Sequence, residues 1–318
     1  MSRSCPITAI VVPCFNEQEG LPHTLNVLRR LIAVLVEKGE IDPSSFMLFV
    51  DDGSRDGTWR VLEGANEEST GVKAIRLSRN FGHQQALLAG LLSVRGQVDC
   101  AISIDADLQQ DVNVIPEFIA KYREGAEIVF GVREDRASDS WIKKWTALGF
   151  YRLMEALGTP LIKNHADYRL TSSIALDTLH EYRENNVFLR GIFADMGLPR
   201  DFVRFVVKER ETGRSKYTIG RMIVFALHGV SSFSVAPLRI ISFLGFIIFS
   251  FSAVMGLYIL YRNIVIGDTI PGWASTALPI YFLGGLQTLC IGILGEYIGN
   301  IYGEVKSRPK YIINQRLE

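Results

Sequence analysis

The chain lacks a surplus of charge of either sign: its 318 residues carry 34 Lys and Arg against 34 Asp and Glu. A general nucleic-acid binder needs a basic excess to neutralise phosphates, so that class is excluded. Cysteine is scarce as well. Cys5, Cys14, Cys100 and Cys290 lie far apart, with no CxxC pair and no metal-ligand spacing, which argues against a zinc or disulfide framework. Cys14 and Cys100 fall in or beside apolar runs, where a thiol serves as a small hydrophobe. Met1 to Pro6 contains no basic stretch leading into an apolar one. It does not read as a secretory signal, and the N-terminal part is expected in the cytosol.

The sharpest shortage is local. Between Ile240 and Gly295 the only charged residues are Arg262 and Asp268, whereas the rest of the chain is charged at about the quarter usual for a water-soluble globule. Leu238 to Tyr261 carries one charge, Arg239, at its edge; as a helix it would extend roughly 36 Å, enough to cross a bilayer with some tilt. Ala274 to Tyr297 is a second candidate span, with Glu296 only at its end. The loop between them has no net charge, while the tail beyond Tyr302 holds Lys306, Arg308, Lys310 and Arg316. By the positive-inside rule the tail and the N-terminal domain share the cytosolic side, and the loop faces outward. Neither span has an ionisable residue in its interior, which argues against a channel or transporter.

From residue 7 to about residue 132, short β-branched runs alternate with helical spacing. Ile7–Pro13, Phe46–Asp51, Val72–Leu77, Cys100–Asp105 and Glu127–Val132 read as strands, and Glu19–Glu37, Thr58–Glu68, Gln84–Val94 and Val114–Arg123 as helices. Nearly continuous apolar strands separated by helices predict an α/β domain with a mostly parallel sheet covered on both faces. Ligands of such sheets bind at the carboxyl ends of the strands. The expected organisation is a catalytic domain over 1–213, an amphipathic juxtamembrane segment over 214–236, a transmembrane hairpin within 237–300 and a cytosolic tail over 301–318. Tyr217 to Val235 suits a membrane interface. Asp139 to Gly158, with Trp141, Lys143, Lys144, Trp145 and Arg152, suits either an interface or a helix packed on its own domain.

Three strand ends carry polar clusters. The first runs into Pro13-Cys14-Phe15-Asn16-Glu17 and the second into Asp51-Asp52-Gly53-Ser54-Arg55-Asp56-Gly57-Thr58. Asp56, Gly57 and Thr58 read as a turn and helix cap. Adjacent acids at the end of a buried strand need partners, and a nucleoside's ring N–H and ribose hydroxyls are suitable ones. The fourth strand ends in Asp105-Ala106-Asp107-Leu108-Gln109. Two hard carboxylates two residues apart, with Gln109 able to add a third oxygen, suit Mg²⁺ or Mn²⁺, which takes its remaining ligands from water and substrate phosphates. Asp-x-Asp alone is more often a helix cap than a metal site; its place after the other two elements makes the combination specific.

With these elements the sequence resembles family 2 of the glycosyltransferases, nucleotide-sugar enzymes of GT-A fold, and within it the polyisoprenyl-phosphate sugar transferases such as dolichol-phosphate mannose synthase and the bactoprenol glucosyltransferases. The resemblance spans nearly the whole chain. It includes Ser78-Arg79-Asn80-Phe81-Gly82-His83-Gln84, Gly131-Val132-Arg133, Ala166-Asp167-Tyr168-Arg169-Leu170 and Glu209 to Tyr217. It implies that Pro13, Phe15, Glu17, Val50 and Asp52 hold the nucleoside, with Ala106 close by through its backbone. Asp105, Asp107 and Gln109 would hold the divalent ion, and Arg133, Arg210 and Lys216 would contact phosphates. The chain departs from the family at Gln110-Asp111-Val112-Asn113, where Asp-Pro-Pro is common; this is expected to change only the following loop.

The resemblance implies transfer of a hexose, with UDP-glucose as the expected donor and GDP-mannose or another UDP-sugar as alternatives, to a polyisoprenyl (undecaprenyl) phosphate at the inner face of the plasma membrane. A lipid phosphate is already anionic at neutral pH, so inverting displacement by its oxygen rests on positioning and on stabilising the leaving diphosphate. Asp167 is the acid expected near the reacting centre, as an acceptor-side orienter or weak base, or else as a partner for Arg169. His83 is a candidate only through its closeness to Arg79 and Asn80. A processive polysaccharide synthase would carry Gln-x-x-Arg-Trp and more spans, and neither occurs. A catalytically silent sugar-nucleotide-binding subunit stays open, and two spans shielding a lipid site suggest a homo-oligomer.

Overall fold

The computed structural model describes residues 5–69, 71–134, 165–184, 187–206 and 273–318, with scattered positions between 238 and 261. The first part of the chain alternates β1 (Thr8–Cys14), α1 (Leu21–Glu37), β2 (Phe46–Asp51), α2 (Thr58–Glu68), β3 (Val72–Leu77), α3 (His83–Ser93) and β4 (Cys100–Ser103). A short 3-10 turn (Val112–Val114), α4 (Ile115–Arg123) and β5 (Ile128–Arg133) follow. Every strand and helix expected up to residue 132 is present, displaced by at most two residues at an end. β4 stops short of Asp105, whose backbone N–H is taken by the Gln110 side chain (2.8 Å).

Beyond that stretch come β6 (His165–Ser172), α5 (Ser173–Glu181), α6 (Leu189–Asp195), β7 (Arg200–Phe205), α7 (Trp273–Val305) and β8 (Ile313–Leu317). The eight strands form one sheet in the order β7-β5-β6-β4-β1-β2-β3-β8. β6 and β8 run against their neighbours and the rest run parallel. β1 and β2 are buried at every position, the pattern of strands covered on both faces. From β1 the chain winds outward through β2 and β3, then crosses to the other side of β1 to form β4. That reversal opens a crevice beyond the carboxyl ends of β1 and β4.

Helix packing on this sheet is close. Gly90 of α3 lies so near the strands that a Cβ there would stand 2.4 Å from Val11 Cγ1 and 2.8 Å from Val50 Cγ2. Together with Ala86 and Ala89, both buried, it lets α3 lie flat over β1 and β2, bringing its first residue, His83, to the rim of the crevice.

The chain divides into two compact units: one of Met1–Tyr151, Pro160–Lys216 and Arg308–Glu318, the other of Arg152–Thr159 and Tyr217–Ser307. β8, which the sequence pattern does not announce, brings the tail back into the first unit. It pairs antiparallel with β3, from Ala74 opposite Leu317 to Leu77 opposite Ile313, and Lys310 donates to the Tyr182 carbonyl (2.7 Å). In the second unit α7 contains the second apolar stretch, with Ile291, Leu294, Ile298 and Ile301 exposed. Many of its side chains, and most of the first stretch, lie outside the described residues, as do the Asp139–Gly158 and Tyr217–Val235 segments. Among the described residues no helix is long and apolar enough to cross a membrane.

β8 carries a direct consequence. Truncation after Lys310 exposes the β3 edge and removes the packing of Ile313 and Leu317. The first unit should lose about 2–4 kcal/mol of stability in denaturant titration and aggregate more readily. An unchanged midpoint would show that the strand adds nothing to the sheet.

Candidate functional site

Four segments meet at the crevice: the turn after β1, the Asp51–Thr58 turn after β2, the loop after β4, and the start of β6. Asn16 turns the chain with φ 55°. Its N–H donates to Ser54 Oγ (2.9 Å), its side-chain oxygen accepts from the Arg55 N–H (2.9 Å), and the Glu17 N–H donates to Thr58 Oγ1 (2.9 Å). The first two turns are thereby tied into one wall. Phe15 is 41% exposed on it, whereas Pro13 is buried in β1. Val50 is wholly buried against α3, so any part it plays toward a ligand is limited to its backbone.

The adjacent acids find partners inside the protein. Asp51 accepts from the Ser54 N–H (2.9 Å) and faces Arg76 Nε at 3.2 Å. Asp52 accepts from the backbone N–H groups of Phe81 (2.7 Å) and Gly82 (2.9 Å), one on each oxygen. The partners that these acids need are thus present within the protein: backbone donors and one arginine meet them. Burial raises the Asp52 pKa against the lowering by those N–H groups. Gly53, at φ +68°, stands where a Cβ would lie 2.4 Å from the Arg79 carbonyl carbon. Asp52 and Gly53 together hold the 79–82 loop against the wall.

After β4, Gln110 grips Asp105 twice, accepting from its N–H and donating Nε2 to Oδ2 (2.6 Å). The departure from the family pattern therefore reaches the first metal-type acid as well as the loop beyond. The Gln109 N–H donates to Asp107 Oδ1 (3.2 Å), and Asp107 is exposed. Ala106 is buried with its carbonyl taken by Thr24 Oγ1 (2.7 Å). Tyr168 OH donates to the Asp111 carbonyl (3.0 Å), tying this loop to β6.

Asp167 has several partners. Arg169 reaches Oδ1 at 2.6 Å, Arg190 donates Nε to Oδ1 (3.2 Å) and a terminal nitrogen to Oδ2 (3.0 Å), and Gln84 Nε2 donates to Oδ2 (3.2 Å). His83 Nε2 stands 3.6 Å from Asp105 Oδ1 and 3.7 Å from Asp167 Oδ2, linking the two acids. Burial pushes both pKa values up. At Asp167 the guanidiniums of Arg169 and Arg190 outweigh burial and hold it well below the usual carboxylate range. At Asp105 burial prevails, aided by Asp167 and Asp107 and opposed by His83, and the pKa is raised. Of the roles open to Asp167, proton acceptor is the one this environment disfavours.

Arg133 is exposed at the end of β5. Arg210 and Lys216 lie outside the described residues. Arg190, Gln84 and Gln110 are the site residues that the spacing misses. Gln84 closes the Ser78–Gln84 run and Gln110 directly follows the acid motif, while Arg190 has no local signal because it meets Asp167 only through the fold.

Among the described residues no three His, Cys, Asp or Glu side chains are grouped to hold a metal ion. The donor set of Asp105 and Asp107 still fits one completed by substrate phosphates, because Mg²⁺ commonly takes only one or two protein carboxylates. The raised pKa of Asp105 marks a place where added positive charge is favourable.

Fold and site define a Rossmann-like α/β protein with a carboxylate-lined crevice at the switch point of its sheet. The family model described as Glycosyl transferase family 2 matches residues 9–196, and the chain belongs to that family, with the GT-A arrangement. The uncharacterized glycosyltransferase YkoT of Bacillus subtilis (strain 168) is 49% identical over 314 residues, 99% of this chain and 93% of its own. The bactoprenol glucosyl transferase of Shigella phage SfX is 38% identical over 309 residues, 97% of this chain and 99% of its own. A mannosyltransferase from Pyrobaculum calidifontis, solved with GDP-Man and Mn²⁺, aligns with a TM-score of 0.44 at 14% identity, over 95% of this chain and 87% of that one.

The two acids should respond oppositely to neutralisation. Asp167→Asn leaves buried Arg169 undercompensated and should cost about 3–5 kcal/mol. Asp105→Asn removes a carboxylate whose charge the fold disfavours and should raise the thermal midpoint in chelator at neutral pH. The pH dependence follows the same signs. Asp167 stabilises fully above the ordinary carboxylate range and loses this as pH falls through its lowered pKa; the Asp105 penalty is present above its raised pKa and fades on acidification. Thermal scans of both variants at pH 7 and pH 5 check this, and equal shifts of one sign would contradict it.

Proposed function

We propose that the protein transfers a hexose from a nucleotide sugar, UDP-glucose being the preferred donor, to a polyisoprenyl phosphate at the cytosolic face of the plasma membrane, with inversion at the anomeric carbon. The observation that carries this reading is the likeness to a bactoprenol glucosyl transferase along 97% of this chain and 99% of that one, apolar C-terminal region included. The acid pair at the switch crevice adds chemical support.

Asp105 and Asp107, with Gln109, would hold Mg²⁺ or Mn²⁺, which when bound supplies positive charge against the leaving diphosphate. Gln110 keeps one Asp105 oxygen turned inward, so the other faces the crevice. The turn walls built by Asn16, Ser54 and Thr58 offer the nucleoside a fixed surface with Phe15 on it. Arg133, Arg210 and Lys216 are assigned to phosphate contacts through the family resemblance. A lipid phosphate needs no deprotonation at neutral pH, which agrees with an Asp167 held too acidic to serve as a base.

The membrane assignment draws on the two apolar stretches of the sequence and on the exposed Ile291, Leu294, Ile298 and Ile301 of α7. The first unit contains residues on both sides of the 217–307 segment, which supports an even number of membrane crossings within that segment. Two spans satisfy this, with the tail cytosolic, and a homo-oligomer would help to shield the lipid.

A donor panel of UDP-glucose, other UDP-sugars and GDP-mannose, given to the purified full chain with undecaprenyl phosphate and Mg²⁺ or Mn²⁺, tests the reading. UDP-glucose should support transfer, chelator should abolish it, and the product should be the β-linked lipid phosphate. Turnover with GDP-mannose alone would reassign the donor. Retained α configuration would overturn the displacement, and no transfer from any donor would favour a silent binding subunit.

A further inference from the structure

Resting on that reading, we propose that Arg76 is a positioning residue for the nucleotide: its guanidinium, met by the last strand of the chain, fixes the turn walls on which the nucleoside lies. A loop that presents a surface to a ligand costs affinity when it must first be ordered. The Asp51–Thr58 turn follows β2, and the side chain that braces it comes from the neighbouring strand β3.

Arg76 addresses that turn through two nitrogens. Nε stands 3.2 Å from Asp51 Oδ2, and a terminal nitrogen donates to the Ser54 carbonyl (3.2 Å). Asp51 is 0% exposed and its Oδ2 accepts no hydrogen bond, so that oxygen relies on the charge of Arg76. Ser54 passes the placement on. Its N–H donates to Asp51 Oδ1 (2.9 Å), and its Oγ accepts from the N–H of Asn16 (2.9 Å), the residue after Phe15. A rigid planar fork can hold a carboxylate and a carbonyl at once, whereas an ammonium is a point charge on a flexible stem. The guanidinium carbon also lies 5.7 Å from the centre of the Trp59 ring of α2, a second restraint on its place.

The remaining terminal nitrogen belongs to the tail. It donates to Gln315 Oε1 at 3.4 Å, and Gln315 is the residue of β8 opposite Arg76. Leu77 then stands opposite Ile313, which makes Asn314 an extra residue and the pairing a bulge, a device that re-aims a side chain. Next along β3, the Ser78 N–H donates to the Ile312 carbonyl (2.9 Å). There the chain enters the 79–82 loop, whose Phe81 and Gly82 amides hold Asp52. β8 thus borders the support of Asp51 and the support of Asp52 alike. A strand that only covered the β3 edge would need backbone pairing and no side-chain contact to Arg76.

The test is calorimetric titration of UDP with Mn²⁺ into the full chain in detergent, well below the thermal midpoint of each variant. Arg76→Lys keeps a cation beside Asp51 and loses the fork. It should retain most of the thermal midpoint yet weaken UDP binding about tenfold. Arg76→Gln should lose both, and Gln315→Ala should shift UDP affinity in the same direction by about two- to fivefold. Linkage is reciprocal, so saturating UDP should slow hydrogen exchange in β8 more than in β7, at the opposite edge of the sheet. That last measurement uses the wild type and decides the matter if the Arg76 variants do not fold. UDP affinity unchanged in Arg76→Lys, or exchange in β8 indifferent to UDP, would reduce Arg76 to a structural brace and overturn the proposal. If the wild type binds UDP and the variants bind it equally well, only the role of Arg76 falls. If the wild type binds neither UDP nor GDP, the functional reading falls with it.

Discussion

A buried carboxylate shared by two arginines is the contact on which the site depends. Asp167 enters from the antiparallel strand β6, and its partners come from β6 itself, from α3 and from α6. Without it, Arg169 would be left in the interior with too little negative charge nearby, and the rim formed by His83 and Gln84 would lose its anchor. Burial draws the Arg169 pKa down to about 10 against the pull of Asp167, so it stays cationic at neutral pH and the pair remains ionic. Such a pair is strongly destabilising to break, which suits a fixed floor for a reaction that depends on placement.

The same crevice separates its acids by environment. Asp167 is held ionised by guanidiniums, while Asp105 is pushed toward neutrality by burial and by neighbouring carboxylates. Pairs of titratable groups driven apart in this way commonly have different tasks. Here Asp105 is the acid that gains from an added cation and Asp167 the one that organises cations already present. The 2.6 Å contact from Gln110 to Asp105 then acts as an orienting hand on the first of them.

The parallel half of the fold was legible because each of its strands is a short apolar run and each helix has its own periodicity. The turn wall and the Asp105–Asp107 pair were legible for the same reason, since they follow those strands directly. What was not legible depends on distance in sequence. In β8 only Ile313 and Leu317 are partly buried, with three exposed polar residues between them, too polar a run to announce a strand, and it becomes one only because β3 offers an edge. Asp51 and Asp52 read as wanting a ligand because Arg76 and the Phe81–Gly82 amides lie on other segments. Arg190 lies 23 residues from Asp167, and no local spacing joins them.

The proposed cation site consists of Asp105 and Asp107, completed by the phosphates of a nucleotide. Calorimetric titration of UDP into the full chain, with and without Mn²⁺, tests it most directly. Mn²⁺ should strengthen UDP binding about tenfold or more in the wild type, and Asp105→Asn should abolish that gain. UDP affinity indifferent to Mn²⁺, or a Mn²⁺ effect that survives in the variant, would contradict it.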